Sequence, residues 1–293
     1  MKILLIGDNG QLAHYIKKLK KKKYTIYLAS KYNFSSNNYK QNNQLLKKLK
    51  IDLIINTKAY TDVEKAEKEK SLAYKINTSL VKKISILCKI NNIILIHIST
   101  DFVFNGKSSK PYSEKSKTFP INYYGQTKLL GEEYIKKNMD KYIIIRTSKI
   151  YSEEGNNFLI KMINNSMREK NLKYLKDEFF CPTYAKDLAK FIFLLISNIK
   201  KIEFSKIINF TGDKKFTPYK LIRLILKTLK KMNFKDYAKL KVANVKELNL
   251  LAKRPKFSIL DNKTANTLLN FKRTPIKKII NLILIKEKNA KSR

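Results

Sequence analysis

Short apolar runs recur along the first half of the chain and are separated by amphipathic stretches. The runs cover residues 2–6 (KILLI), 25–29, 52–56, 93–98 and 142–146. Uninterrupted apolar runs of this length are typical of strands in a parallel sheet that is buried on both faces. Since stretches of helical length separate the strands, the pattern predicts an α/β fold with a doubly wound parallel sheet of Rossmann type.

The remaining elements are mostly helical. One more strand is predicted over residues 207–210. Helices are predicted over residues 73–89, 157–168, 186–199, 218–229 and 275–286.

Composition narrows the functional classes. The chain has 293 residues, with 63 Lys and Arg against 23 Asp and Glu, and a formal net charge of +40. Because lysines spread over the whole length and arginines are rare beside them, this charge indicates a solvated surface, and a dedicated nucleic-acid site is the least favoured alternative. Two Cys and two His give no disulfide scaffold and no set of metal ligands. No apolar run approaches the ~20 residues of a membrane span, so we expect a cytoplasmic protein with no membrane partner.

Glycine is scarce, which makes the glycines that are present informative. Only 7 occur, where average usage gives about 20. Two of them stand in the turn GDNGQLA after the first strand, and a strand, a glycine turn and a helix in succession are the context of a phosphate site. We therefore expect a dinucleotide at this turn, in contact with Gly7, Asn9, Gly10, Gln11 and Leu12.

The end of the second strand bears on which dinucleotide is bound. About 20 residues after such glycines, sites that prefer NAD place a carboxylate for the ribose 2′-hydroxyl, whereas this chain has Ala29, Ser30 and Lys31. No carboxylate is there to repel a 2′-phosphate, and Lys31 can pair with one. NADPH is therefore the expected cofactor, with NADH as the alternative.

Two segments carry candidate chemistry. Thr100 and Asp101 follow the fourth apolar run, at the edge where parallel sheets bind ligands. Tyr124 and Lys128 are four residues apart, so a helix places both on one face. An adjacent ammonium lowers the pKa of a phenol and makes it a better acid–base group. His97 lies within the apolar run and is interpreted as a packed core residue.

Motifs that follow one another through most of the chain resemble one family. The sequence is similar to the extended short-chain dehydrogenase/reductases, and among them to the dTDP-4-dehydrorhamnose reductases, over residues 1–285. The segments that carry the resemblance are GDNGQLA (7–13), NTKAYTDVEKAE (56–67), STDFVFNG (99–106), YGQTKLLGE (124–132), RTSKIY (146–151), GNNF (155–158), PT (182–183) and RPKFSILD (254–261).

The resemblance implies NADPH-dependent reduction of the C4 ketone of dTDP-4-dehydro-L-rhamnose. Tyr124 would give the proton, Lys128 would hold the nicotinamide ribose and tune Tyr124, and Thr100 would hydrogen-bond the keto oxygen. The further cofactor contacts that it implies are Asn56, Thr57, Lys58, Ala59 and Tyr60. The sugar nucleotide would be held by Thr61, Val63, Thr100, Asp101, Lys149, Asn157 and Arg254, the last of them near the diphosphate.

The same resemblance implies a division of the chain. An NADP-binding Rossmann domain would cover residues 1–146, with the chain returning to it around residues 184–210. A smaller C-terminal substrate-binding lobe would be made by residues 147–183 and 211–293. A homodimer is left open, and so is Mg²⁺, for which no ligands are recognisable.

Five residues depart from the family pattern, namely Ala13, Asn33, Lys149, Glu178 and Phe180. Asn33 stands where an adenine-contacting Asp is common, and Lys149 stands where Trp is usual. Because Lys149 removes an aromatic platform beside the sugar, reduction of another 4-keto sugar nucleotide stays an alternative. A non-catalytic NADP-binding regulatory subunit is the alternative from a different functional class.

Overall fold

Ten strands are present in the computed structural model, which describes residues 1–32, 34, 38–243, 247 and 250–291. In chain order the strands are β1 (Lys2–Ile6), β2 (Thr25–Leu28), β3 (Leu53–Asn56), β4 (Ile94–Thr100), β5 (Tyr142–Thr147), β6 (Ile150–Tyr151), β7 (Asn171–Tyr174), β8 (Thr183–Tyr184), β9 (Lys206–Asn209) and β10 (Lys239–Val242). Six of them form one parallel sheet in the order β2-β1-β3-β4-β5-β9. The other four form two short parallel pairs, β6 with β8 and β7 with β10.

Helices connect these strands. They are α1 (Gln11–Lys18), α2 (Tyr39–Leu49), α3 (Val63–Lys68), α4 (Lys70–Tyr74), α5 (Leu80–Ile90), α6 (Tyr123–Asn138), α7 (Phe158–Arg168), α8 (Ala185–Ser197), α9 (Pro218–Lys231), α10 (Lys263–Leu269) and α11 (Ile276–Lys291). A π-helical segment at Lys75–Ser79 joins α4 to α5.

Both faces of the large sheet are covered by helices. Side chains of α1, α8 and α10 pack on one face and build a core that contains Ile3, Ile96 and Phe191. Side chains of α2, α5 and α6 pack on the other face against Leu4 and Ile54. Continuous apolar strands are required here because alternate residues of each strand enter opposite cores.

A third apolar core lies away from the large sheet. It is made mainly by α7, α9 and α11, with Tyr151, Leu159, Ile222 and Ile280 fully or almost fully buried. The chain reaches this core after β5, leaves it for α8 and β9, and returns to it with α9. The core thus gathers segments that are distant in sequence.

The strand order places a crevice at one edge of the sheet. From β1 the chain moves outward to β2 on one side and to β3 on the other. In open parallel sheets, ligands bind outside the carboxyl ends of the strands at such a reversal. The glycine turn follows β1 at this point, and the segment after β3 lies beside it.

The predicted doubly wound parallel sheet is confirmed, with different element ends. The predicted strand 25–29 stops at Leu28 because a 3₁₀ turn begins at Ala29. The run 93–98 continues to Thr100, since Ser99 and Thr100 pair with Arg146 and Thr147 of β5. The single helix predicted over residues 73–89 is instead three successive segments, of which the middle one is π-helical.

Candidate active site

A cleft with a volume of about 500 Å³ opens at the carboxyl ends of β1, β3, β4 and β5. Its size is ordinary for a site that takes a small molecule or cofactor. All seven predicted substrate contacts line it, namely Thr61, Val63, Thr100, Asp101, Lys149, Asn157 and Arg254. Seven of the predicted cofactor contacts also line it, namely Gly10, Gln11, Leu12, Thr57, Ala59, Tyr124 and Lys128.

The glycine turn forms one end of the cleft. Gly7 has φ +85°, and a Cβ there would lie 2.4 Å from the backbone nitrogen of Lys58, so the backbone of the turn lies directly against the segment after β3. Thr57 reinforces this contact by donating its hydroxyl to the carbonyls of Ile6 (3.0 Å) and Gly7 (2.9 Å).

The start of α1 fits an anionic group. Its N-cap, Gly10, offers no side-chain hydrogen bond to the first-turn N–H groups, and the first turn holds no acidic residue. A Cβ on Gly10 would meet nothing nearer than the Gly7 carbonyl oxygen at 3.8 Å, so the backbone is open on that side. Open N–H groups at a helix N-terminus are suited to a pyrophosphate.

Asp8 fastens this turn and was missed by the sequence reasoning. Its buried carboxylate accepts hydrogen bonds from the Ser30 hydroxyl (2.5 Å) and the Ser30 backbone nitrogen (3.3 Å). Burial raises the pKa of Asp8, but the Ser30 hydrogen bonds and the charge of Lys17 outweigh it and keep the pKa below its ordinary value. The turn is thereby tied to the segment after β2.

Helix α6 brings Tyr124 and Lys128 to the middle of the cleft. Its N-cap, Asn122, accepts a hydrogen bond from the backbone nitrogen of Gly125 at 2.8 Å. A Cβ on Gly125 would lie 2.2 Å from the Phe102 carbonyl oxygen, so the helix runs directly against the turn that follows Thr100. This close crossing brings the Tyr124 phenol and the Thr100 hydroxyl together in the same cleft, near enough for Thr100 to lower the pKa of Tyr124.

The Tyr124 phenol is protonated at neutral pH. Burial raises its pKa to about 12, against the lowering effect of the hydrogen bond with Thr100, and Asp101 raises it further. Lys128 and a cationic cofactor together were expected to lower this pKa, whereas burial of the phenol by the protein alone raises it. Burial of the phenol is the main cause, and Nζ of Lys128 lies against the sheet, 2.7 Å from the Ile98 carbonyl oxygen.

Lys128 itself is almost completely buried. Burial lowers its pKa to about 8, although the charge of Glu132 raises it. Its Nζ is also 3.3 Å from Nε2 of His97. His97 is fully buried, as expected of a core residue, yet it contacts a candidate catalytic group, which the sequence reasoning did not foresee.

Charged side chains gather at the other end of the cleft. Asp101 accepts hydrogen bonds from Ser148 (2.7 Å) and Thr100 (3.1 Å), and burial raises its pKa. Lys149 has φ +31° and places Nζ 4.7 Å from the centre of the Phe180 ring. Burial lowers the pKa of Lys149, against the opposing charge of a nearby carboxylate, Glu178.

Arg254 is held at the same end by a carboxylate. Its guanidinium donates to Glu64 at 2.8 Å, and both side chains keep more than a quarter of their surface exposed (26% and 30%). Within the described part of the chain, no acceptor meets Nε of Arg254. The group therefore has donor capacity left for a ligand.

Six predicted cofactor contacts do not line the cleft, namely Gly7, Asn9, Lys31, Asn56, Lys58 and Tyr60. Asn9, Lys31 and Lys58 are exposed. The Asn56 side chain is fully buried against His97, and the Tyr60 hydroxyl donates to Glu69 at 2.9 Å. Asn33 lies outside the described residues.

Some lining residues were not predicted. Thr147 pairs with Thr100 across β4 and β5 and donates to the Thr183 hydroxyl at 2.9 Å. Its position directly after a predicted strand was a usable signal, because carboxyl ends of neighbouring parallel strands meet at one edge. Phe102 and Phe158 also line the cleft; both stand in segments that carry the family resemblance, which did not assign them a role.

The described residues form neither a cluster of metal ligands nor a membrane-spanning helix. No three His, Cys, Asp or Glu side chains among them come together in a way that would hold a metal ion. None of the described helices has the length and apolarity needed to cross a membrane.

Comparison with known proteins relates the chain to sugar-nucleotide enzymes. A family model described as the RmlD substrate binding domain matches residues 1–288. The dTDP-4-dehydrorhamnose reductase of Salmonella typhimurium is 38% identical over 146 residues, which make up 50% of this chain and 49% of that protein. The chain thus spans about half the length of the first curated relatives that it matches.

Solved structures are similar over almost the whole chain. A dTDP-4-dehydrorhamnose reductase from Clostridium acetobutylicum superposes with a TM-score of 0.86 at 29% identity, covering 98% of this chain and 100% of that one. The dTDP-4-dehydrorhamnose reductase from Bacillus anthracis, solved in complex with NADP, has a TM-score of 0.84 at 27% identity and covers 97% of this chain and 99% of that one.

Proposed function

The chain belongs to the RmlD substrate binding domain family, and from that premise we propose that it is an NADPH-dependent reductase of dTDP-4-dehydro-L-rhamnose. The observation that carries the proposal is that Thr100, Tyr124 and Lys128 share one cleft with an open glycine turn. A subunit that only binds a nucleotide requires the glycine turn, but it does not require the phenol of Tyr124 and the amine of Lys128 beside that turn. The product is dTDP-L-rhamnose.

The cofactor is assigned to the end of the cleft made by the glycine turn. Gln11 and Leu12 offer backbone N–H groups to its pyrophosphate, and Gly10, Thr57 and Ala59 border the same space. When bound, the reduced nicotinamide supplies the hydride. NADP in the Bacillus anthracis relative supports the phosphorylated dinucleotide.

Tyr124 is the proton donor of the proposed reaction. Its phenol is protonated over the physiological pH range because burial raises its pKa to about 12. As the ketone oxygen gains negative charge, it becomes a stronger base than the phenolate, and the proton moves to it. The Thr100 hydroxyl, which donates to Asp101 in the structure, turns to donate its single O–H to the same oxygen when the ketone is bound.

The remaining proposed roles belong to Lys128 and to the charged side chains at the other end of the cleft. The Lys128 amine is close enough to the cleft to hold a ribose hydroxyl. Arg254 is assigned to the diphosphate of the sugar nucleotide, with Thr61 and Val63 beside the sugar. Asp101, Lys149 and Asn157 are assigned to the sugar hydroxyls.

Oxidation of NADPH by the purified protein tests the substrate. We expect turnover with dTDP-4-dehydro-L-rhamnose to exceed turnover with other 4-keto sugar nucleotides at equal concentration. Preference for a different keto sugar would support the alternative that Lys149 raises, since this lysine contacts Phe180 at the wall of the substrate end. Binding of NADPH without turnover of any keto sugar would support the regulatory-subunit alternative and contradict the proposal.

The cofactor preference has its own test. Lys31 is exposed beside the segment that ties β2 to the glycine turn. If its ammonium pairs with the 2′-phosphate, Lys31→Asp raises KM for NADPH and leaves KM for NADH nearly unchanged. Lys21→Asp, an exposed lysine on the loop before β2, is the matched control. An unchanged preference in Lys31→Asp removes this residue from the cofactor site.

Three further assignments belong to the proposal. The NADP-binding domain comprises residues 1–146, with residues 184–210 returning to it, and the substrate-binding lobe comprises residues 147–183 and 211–293. The protein acts in the cytoplasm. A homodimer is the proposed assembly, and light scattering of the purified chain checks it.

A further inference from the structure

Two segments that are distant in sequence carry cleft residues and lie against each other. Residues 251–254 belong to no helix or strand, and the last of them, Arg254, lines the cleft. Tyr124, which lines the same cleft, stands in the first turn of α6. The residues that connect these two segments therefore bear on how Arg254 and Tyr124 are placed relative to each other.

Asn122 makes a direct connection between the two segments. Its side chain is buried, with 3% of its surface exposed. Oδ1 caps α6 by accepting a hydrogen bond from the Gly125 backbone nitrogen at 2.8 Å. Nδ2 donates to the carbonyl oxygen of Lys253, 131 positions away in sequence, at 2.8 Å. One amide thus joins the helix that carries Tyr124 to the residue before Arg254.

The backbone determines the orientation of this amide. A backbone N–H only donates, and a backbone carbonyl oxygen only accepts. The reversed amide would set its NH₂ group against the Gly125 N–H and its oxygen against the Lys253 carbonyl oxygen. Both hydrogen bonds of Asn122 would then be lost, so the two partners fix the amide as observed.

Two glutamates of α3 hold the same segments. Glu67 accepts a hydrogen bond from the backbone nitrogen of Tyr123, the first residue of α6, at 2.8 Å. Glu64 accepts from the backbone nitrogens of residues 251 and 252 at 2.8 and 3.2 Å. Helix α3, the start of α6 and residues 251–254 therefore form one hydrogen-bonded unit at the edge of the cleft.

Asn122 has a different place in this unit from the two glutamates. Glu67 binds the start of α6 and Glu64 binds residues 251–254, whereas the amide of Asn122 contacts both. If the Nδ2 contact is lost, each segment keeps its own attachment to α3. The segments stay folded but become free to shift relative to each other.

We propose that Asn122 is a positioning residue that fixes Arg254 relative to Tyr124, so that a sugar nucleotide held by its diphosphate presents its ketone to the phenol. The roles of Arg254 and Tyr124 rest on the proposed function. Binding of a group that does not react can orient the group that does. Asn122 is not one of the residues that line the cleft, and it acts through two that are.

Asn122→Ser separates the two contacts of the amide. Serine is as good an N-cap as asparagine, but its shorter side chain has no group at the position of Nδ2. In a single turnover with dTDP-4-dehydro-L-rhamnose, followed by loss of NADPH absorbance, we expect the rate to fall about 10-fold or more, because small misplacements of reacting groups are costly. By calorimetry, the Kd for dTDP and the Kd for NADPH should stay close to their native values, since Glu64 still holds residues 251–254.

Asn122→Asp is a second variant with a different chemistry. Its carboxylate also caps the helix, but it has no donor for the Lys253 carbonyl oxygen. We expect the same loss of rate as in Asn122→Ser. Thr217→Ala is the control for capping, because Thr217 caps α9 in the third core by accepting from the Lys220 backbone nitrogen at 3.2 Å. It should lower the urea midpoint and keep the native rate.

The possible results are distinguishable. Native single-turnover rates in both Asn122 variants would overturn the proposal. A loss of rate matched by equal losses of affinity for dTDP and NADPH would also overturn it, because a residue that serves only the fold would act in that way. Absence of turnover by the native chain would contradict the proposed function, and this inference with it, before any variant is compared.

Discussion

Two arginine–glutamate pairs in this protein have similar distances and different surroundings. Arg146 and Glu132 are buried (2% and 0% exposed), and the carboxylate takes two hydrogen bonds from the guanidinium and one from Ser99. Arg254 and Glu64 join the C-terminal part of the chain to α3 at the edge of the cleft, and both remain partly exposed.

The surroundings decide what each pair does. A buried pair has lost its hydration, so either partner left alone is a costly charge, and the pair joins α6 to β5. An exposed pair is screened by water and contributes little to stability. Among the described residues, both arginines have one buried nitrogen without a hydrogen-bond partner, Nη1 of Arg146 and Nε of Arg254, but only Arg254 lines the cleft. The exposed pair is therefore the one suited to exchange part of its hydrogen bonding for a ligand.

Breaking the buried pair is expected to have the largest effect on stability. Glu132→Gln keeps the shape of the side chain but leaves Arg146 charged without its counter-charge. We expect the free energy of unfolding to fall by about 3–5 kcal/mol, measured by urea denaturation. Glu133→Gln, on the exposed side of the same helix, is the control and is expected to change it by less than ~0.5 kcal/mol. A loss below ~1 kcal/mol in Glu132→Gln would mean that the buried pair contributes no more to stability than an exposed pair does.

Removing the exposed arginine is expected to affect binding more than stability. Arg254→Met deletes the hydrogen bonds of a charged group, each worth ~1.5–3 kcal/mol, so KM for the sugar nucleotide should rise roughly 10- to 100-fold. The free energy of unfolding should fall by less than ~1 kcal/mol. Arg223→Met, an exposed arginine on α9, is the matched control. An unchanged KM would show that Arg254 serves only the fold.

The smallest effect is expected from the carboxylate of the exposed pair. Burial raises the pKa of Glu64, but the hydrogen bonds from Arg254, Ala252 and Leu251 outweigh it and lower the pKa in the folded state. Its contribution to stability is therefore present above the unfolded pKa, near pH 4.5, and is lost as the pH falls through the lower folded value. The difference in unfolding free energy between the native chain and Glu64→Gln should stay below ~1 kcal/mol at pH 7 and decrease toward pH 3. A difference that grows on acidification would contradict the ion pair.

The large sheet was predictable because its signal is local. Each strand is an apolar run in the sequence, and burial on both faces requires no more information than that. The predicted strand stopped before Ser99 and Thr100 because both residues are polar. They extend the strand in the structure because Arg146 and Thr147 on β5 supply their partners. The π-helical segment had no local signal; it lies close against α6, where a Cβ on Gly131 would lie 2.5 Å from the Asn77 carbonyl oxygen.

The candidate site was predictable only in part. The spacing of Tyr124 and Lys128 placed both on one helix face, and the strand-end position of Thr100 placed it at the same edge of the sheet. The direction in which Lys128 points was not predictable, because Ile98 and His97 reach it from another element. Glu64 and Arg254 are 190 positions apart, and only the assembled fold brings them together.

Tyr124→Phe tests the central claim, that the cleft reduces a ketone with this phenol as the acid. In a single turnover with dTDP-4-dehydro-L-rhamnose, followed by loss of NADPH absorbance, we expect the rate to fall at least ~100-fold, while the Kd for NADPH changes little. Tyr123→Phe, the preceding residue of the same helix, is the control and should keep the native rate. A native rate in Tyr124→Phe would contradict the account.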